Sequence, residues 1–166
     1  MSRANGRIRV LYSFPHKLGA GRICYTAWQQ VSGLAAAGAD LLVFPGALSR
    51  PVPGGVRVRS TLARGKLRIP YKLLGSNRAF ALHDYIVSRR IEKLTGQIDI
   101  IHTWPLGALE TLKTAARLGI PTVLERPNLH GRRLRLRLGL VPRLLHRYLV
   151  LPGGRSGGLR QRRAGL

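Results

Sequence analysis

From residue 8 to residue 125 the chain alternates short apolar runs with longer segments of helical period, and this alternation restricts the fold more than any other feature. Residues 8–14 form the first run, closed by Pro15. The loop His16-Lys17-Leu18-Gly19-Ala20-Gly21-Arg22 leads into a predicted helix over 23–37. Its apolar face carries Ile23, Ala27, Val31, Leu34 and Ala35, and Gly38 stops it. Residues 41–44 are a second buried strand, ended by Pro45-Gly46, and 56–59 a weak third. Phe80, His83, Val87, Ile91 and Leu94 line up on a helix over 80–94 that Gly96 ends. Residues 98–102 are a fourth strand. Pro105 then fits the first position of a helix running to Leu118, and 121–124 are a fifth strand.

Continuous apolar strands with helices between them imply an α/β fold, a Rossmann-like parallel sheet with helices on both faces. In such sheets ligands gather beyond the carboxyl ends of the strands. Here those ends are residues 15–22, 102–105 and 125–130.

Charge divides the chain differently. Net charge is +23, with 29 Lys and Arg against 6 Asp and Glu, and ten of those charges are arginines of residues 131–166. That leaves +13 on the first 130 residues, basic but suited to a protein that meets phosphates or anionic lipid. Beyond His130, lysine, acids, Asn, Thr, Ile and Phe all disappear together. Such an Arg, Gly, Leu, Pro and Ala text is expected from GC-rich DNA read in a slipped frame. The domain expectation is therefore a folded unit over 7–130 and a disordered basic tail over 131–166, of frameshift origin. Hydrophobic residues at 45% support a folded core for the first part. The one cysteine, Cys24, has no partner for a disulfide, and no segment approaches the roughly 18 apolar residues of a membrane span. A cytoplasmic protein, peripheral where it meets the inner membrane face, is the expectation.

Several pieces in order resemble the amino-terminal domain of family 4-type glycosyltransferases of the GT-B fold. They are the strand Ile8-Arg9-Val10-Leu11 leading to Gly19-Ala20-Gly21 and a long helix, then Asp99-Ile100-Ile101-His102-Thr103-Trp104-Pro105. Gly119-Ile120-Pro121-Thr122-Val123-Leu124-Glu125 follows, with Arg126-Pro127-Asn128-Leu129-His130 beyond it. The resemblance implies transfer of a sugar from a nucleotide-sugar donor to a hydroxyl acceptor. This domain would supply the acceptor side, and the donor-binding domain of the pair lies outside the matching residues. A chain without that domain is expected to be inactive alone.

The candidate site follows from the strand ends. Gly19, Ala20 and Gly21 stand where a strand hands over to a helix, a place receptive to phosphate, and by resemblance they face the donor diphosphate. A dinucleotide fingerprint fits less well, because the third glycine and the acid after the second strand are absent. Glu125 and His130 are the candidate catalytic pair, a carboxylate and an imidazole suited to deprotonating a hydroxyl. His16, Lys17, His102, Trp104 and Asn128 are candidate acceptor contacts, with Trp104 and Pro105 as an apolar sugar platform. The basic and apolar residues of 62–74 suit contact with an anionic membrane or glycan. No cofactor is implied, and scattered histidines with a lone cysteine give no metal site.

Two alternatives belong to other classes. A basic α/β module that uses residues 131–166 on nucleic acid predicts steeply salt-dependent binding lost with those residues. A single-domain partner that completes its site with a second subunit predicts a separately encoded donor domain.

Overall fold

The computed structural model describes residues 6–64, 67–68 and 74–125. Residues 1–129 form one compact unit, and residues 130–166, with the tail expectation, lie outside the described residues.

The predicted architecture is present. Five parallel strands form one sheet: β1 (Arg9–Leu18), β2 (Asp40–Leu48), β3 (Arg57–Val58), β6 (Ile100–Thr103) and β7 (Thr122–Leu124), in the order β3-β2-β1-β6-β7. A two-stranded antiparallel ribbon, β4 (Ala63–Arg64) with β5 (Leu67–Arg68), stands apart from it. Three helices are described, α1 (Ile23–Ala36), α2 (Ser76–Lys93) and α3 (Leu109–Arg117).

Parallel pairing needs a crossover between strands, and each long crossover here covers one face of the sheet. On one side, α1 places Ala27 and Val31 on Val10, Tyr12, Phe14, Leu41, Val43 and Trp104. On the other, Val87 and Ile91 of α2 and Ala115 of α3 pack on Leu11, Leu42, Phe44, Ile98 and Ile101. The even and odd residues of β1 thus serve opposite cores, as the period of two requires. Each fully buried Leu or Ile contributes roughly 1.5–3 kcal/mol by leaving water, which ties both helical layers to the sheet.

Two prolines behave differently from the expectation. β1 does not stop at Pro15 but continues to Leu18, with a register shift against β2 between Phe14 and Lys17. A bulge accepts a residue without an N–H, which is why the strand survives the proline. Pro105 does not open a helix either, since α3 begins four residues later at Leu109. Asp84 of α2 fixes that start: its Oδ2 accepts the amide of Glu110 at 2.8 Å and its Oδ1 that of Thr111 at 2.9 Å. A buried carboxylate on the first-turn amides satisfies donors that a helix leaves open and complements its dipole. Likewise α2 starts at Ser76, before the expected Phe80, and the ribbon β4–β5 occupies part of the basic and apolar stretch 62–74.

The strand order reverses between β1 and β6, so the carboxyl ends of these two strands flank the switch point where a doubly wound sheet opens a crevice.

Candidate functional site

Register builds the site. In the parallel pairing Tyr12 stands beside His102, and His102 beside Val123. Side chains two residues apart share a face, so Trp104 follows His102 and Glu125 follows Val123 onto the α1 side. The Glu125 amide donates to the Thr103 carbonyl at 2.9 Å and extends the ladder one step past β7. Above them, α1 presents Gln30 beside Ala27 and Val31, at the three- and four-residue spacing of one helix face.

Four of these five side chains form one connected hydrogen-bond chain, with His102 beside its end. Trp104 Nε1 donates to the Tyr12 hydroxyl at 2.7 Å. Tyr12 in turn donates to Gln30 Oε1 at 2.7 Å, and Gln30 Nε2 donates to Glu125 Oε2 at 3.2 Å. His102 Nε2 lies 3.4 Å from the same Glu125 oxygen, outside hydrogen-bond geometry, and is buried without another partner among the described residues. The Tyr12 and His102 rings lie 4.8 Å apart.

Burial pushes the His102 pKa down, and the neighbouring Glu125 carboxylate opposes that shift. Burial thus favours the neutral form of the imidazole. Burial pushes the Tyr12 phenol well up, so it stays a donor across the working pH range. A carboxylate held by one donor, beside an imidazole with an unsatisfied nitrogen, suits binding a hydroxyl or moving its proton.

The glycine loop sits past the end of β1. Gly19 has φ +82°, and a Cβ there would stand 2.8 Å from Arg50 Cβ, so only glycine fits. Its carbonyl accepts from Arg50 Nε at 2.8 Å. The Gly19 amide donates to the Cys24 carbonyl and the Ala20 amide to that of Lys17. Two of the three amides expected to meet phosphate are thus bonded within the loop. Positive charge is supplied by side chains instead: Lys17, Arg22 and Arg50 are all exposed there, and the first turn of α1 has no acid. Arg22, at the start of α1, holds φ 56° and ψ −132°, a conformation costly for a residue with a Cβ. Arg50 also lies over the Tyr25 ring at 5.1 Å, and Tyr25 stacks on Trp28 at 5.6 Å.

The structure therefore brings His102, Trp104 and Glu125 together and sets Lys17 with the glycine loop. His16 is half-buried, with its ring 5.4 Å from Phe14 and 4.8 Å from Phe80, and burial lowers its pKa. Trp104, the expected sugar platform, is 1% exposed and edge-on to Phe14 at 5.1 Å, so its faces belong to the core. Asn128 and His130 lie outside the described residues, as does most of 62–74. Tyr12 and Gln30 escaped the sequence reading. Tyr12 passes for an apolar strand residue, but Gln30 left a signal, a polar residue inside the Ala27–Val31–Leu34 stripe.

Among the described residues no three His, Cys, Asp or Glu side chains gather as a metal site requires, and no helix is long and apolar enough to cross a membrane.

No protein family and no curated protein matches the chain. Several solved structures share a loose likeness. The C-terminal domain of a hydrogenase from Pyrococcus furiosus aligns at 10% identity and a TM-score of 0.44, over 73% of this chain and 92% of that one. A glycosyltransferase from Rickettsia africae aligns at 13% identity and a TM-score of 0.41, over 72% of this chain. The chain spans 29% of that glycosyltransferase, and neither likeness assigns an activity.

Proposed function

We propose that this chain is the acceptor-side domain of a GT-B glycosyltransferase, in which a second, donor-binding domain completes the reaction. The observation that carries the reading is the Glu125–His102 pair, 3.4 Å apart at the carboxyl edge of β6 and β7, beside the switch point of the sheet. Glu125 accepts the hydrogen bond, and on an inverting route the proton, of the attacking hydroxyl. Neutral His102 binds a neighbouring hydroxyl through its unsatisfied nitrogen. Lys17, Arg22 and Arg50, around Gly19, Ala20 and Gly21, attract the donor diphosphate from the far side of the cleft. The excess of basic residues also suits an acceptor carried on an anionic membrane.

The test is a residue-resolved NMR map of the ¹⁵N-labelled chain titrated separately with UDP and with a panel of free hexoses. The reading expects UDP to shift the amides of residues 17–22 and a hexose to shift those of 102–104 and 125. Shifts confined to other surfaces would contradict it. The nucleic-acid alternative rests on the ten arginines of 131–166. It expects duplex DNA to bind with an affinity that falls steeply with salt and disappears when those residues are removed.

A further inference from the structure

We infer that Gln30 is a positioning residue, the turning point of a one-way hydrogen-bond chain from Trp104 through Tyr12 that fixes how Glu125 meets a ligand hydroxyl. The inference rests on the reading of Glu125 as the hydroxyl acceptor and adds the machinery that orients it.

The direction of the chain follows from chemistry. An indole N–H can only donate, so at 2.7 Å from Trp104 Nε1 the Tyr12 oxygen must accept. The Tyr12 proton is then free to go to Gln30 Oε1, 2.7 Å away, with the Ala27 carbonyl at 3.4 Å a poorer acceptor. With its oxygen facing Tyr12, the Gln30 amide must turn its NH₂ toward Glu125 Oε2 at 3.2 Å. The opposite rotamer would set amide oxygen against carboxylate oxygen, two acceptors with no proton between them. Both ends of the chain therefore demand the same orientation of Gln30. Trp104 is 1% and Tyr12 0% exposed, so water does not compete at the origin of the chain.

The consequence falls on Glu125. Its Oε2 is held by Gln30, and the carboxylate plane is set by a helix that packs on the sheet through Ala27 and Val31. Oε2 is also the oxygen nearest His102 Nε2. A donor from Gln30 occupies lone-pair capacity that a protonated imidazole would otherwise take. Gln30 thus limits the pull of Glu125 on His102, on top of the burial that lowers its pKa, while directing Glu125. Among the described residues, the titratable groups against His102 are Tyr12 from β1 and Glu125 beyond β7.

The test is a histidine-resolved NMR pH titration of the full chain, which needs neither substrate nor donor domain. In Gln30→Leu the freed Oε2 turns to His102, whose apparent pKa rises by roughly one pH unit. Tyr12→Phe removes the donor that anchors Gln30 Oε1 and loosens the hold of its NH₂ on Glu125, so the shift has the same direction but is smaller. Val31→Ala, one residue along α1, lowers the melting temperature yet leaves His102 unmoved. A folded Gln30→Leu protein with the wild-type His102 titration would overturn the inference. Should Gln30→Leu fail to fold, Tyr12→Phe decides in its place, and an unmoved His102 there rejects the chain. The outcome is separable from the functional reading: absent hexose shifts in the wild type defeat that reading, whatever the pKa series shows.

Discussion

Two histidines lie in the described core on opposite faces of one sheet, and their surroundings differ in kind. His83, on α2, is fully buried with both ring nitrogens occupied: Nε2 is 2.9 Å from Ser13 Oγ and Nδ1 is 2.7 Å from Thr61 Oγ1. Burial, with His16 nearby, drives its pKa down to about 3. His102, on β6, is only partly buried, with a carboxylate at 3.4 Å and an Nε2 that has no hydrogen bond among the described residues. Hydroxyl partners on both sides make His83 a cross-brace between α2, β1 and the segment after β3. Among the described residues the buried Nε2 of His102, next to a carboxylate, has no such partner. Satisfaction of the ring nitrogens, more than burial, tells the two imidazoles apart.

The largest expected effect is on stability. His83→Leu leaves Ser13 and Thr61 facing an apolar side chain and should cost about 2–4 kcal/mol in urea unfolding. His102→Leu removes an imidazole with no good hydrogen bond at Nε2 and should cost about 1 kcal/mol or less. Equal losses at the two positions would erase the distinction.

Acid should expose the same asymmetry. The His83 pKa is depressed in the folded state relative to about 6.5 when unfolded. The unfolded chain therefore binds the extra proton first. The stability that His83 brings is complete above about pH 6.5 and falls as pH drops toward 3, at up to roughly 1.4 kcal/mol per pH unit. His102 contributes in the same direction, less steeply because Glu125 opposes its shift. Urea titrations at several pH values should show His83→Leu flattening the acid limb more than His102→Leu.

A smaller effect tests how tightly His83 is held. A Cβ on Gly107 would stand 2.9 Å from Pro15 Cβ and 3.3 Å from His83 Cδ2. Gly107→Ala should therefore cost about 1–3 kcal/mol, read as a drop in melting temperature. An unchanged melting temperature would show slack around His83 that the distances deny.

Least visible in stability is Glu125→Gln, at a position only partly buried. It should lower the His102 pKa further by removing the carboxylate that raises it, leave His83 unmoved, and abolish the hexose-induced shifts. A rise in the His102 pKa would reverse the assigned role of Glu125.

The sheet was legible because its strands are continuous apolar runs and its helices keep a clear stripe. His102 and Glu125 were legible as residues at strand ends, the edge where parallel sheets bind ligands. Their contact was not, because 23 positions separate them and only the β6–β7 register makes them neighbours. The prolines misdirected two boundaries for a related reason. Pro15 is accommodated by a bulge set by β2, and the start of α3 is set by Asp84 on another helix, so neither depends on local sequence alone. Trp104 read as a ligand platform because an aromatic after a strand is often exposed. Its burial follows from the fit of Phe14 and Tyr12 around it, which no spacing records.

The most direct test of the account is histidine-selective NMR of the wild-type chain during titration with the hexose panel at neutral pH. The account predicts that at least one hexose moves the His102 ring resonances while those of His83 stay fixed. Movement of His83 with His102 silent would contradict it.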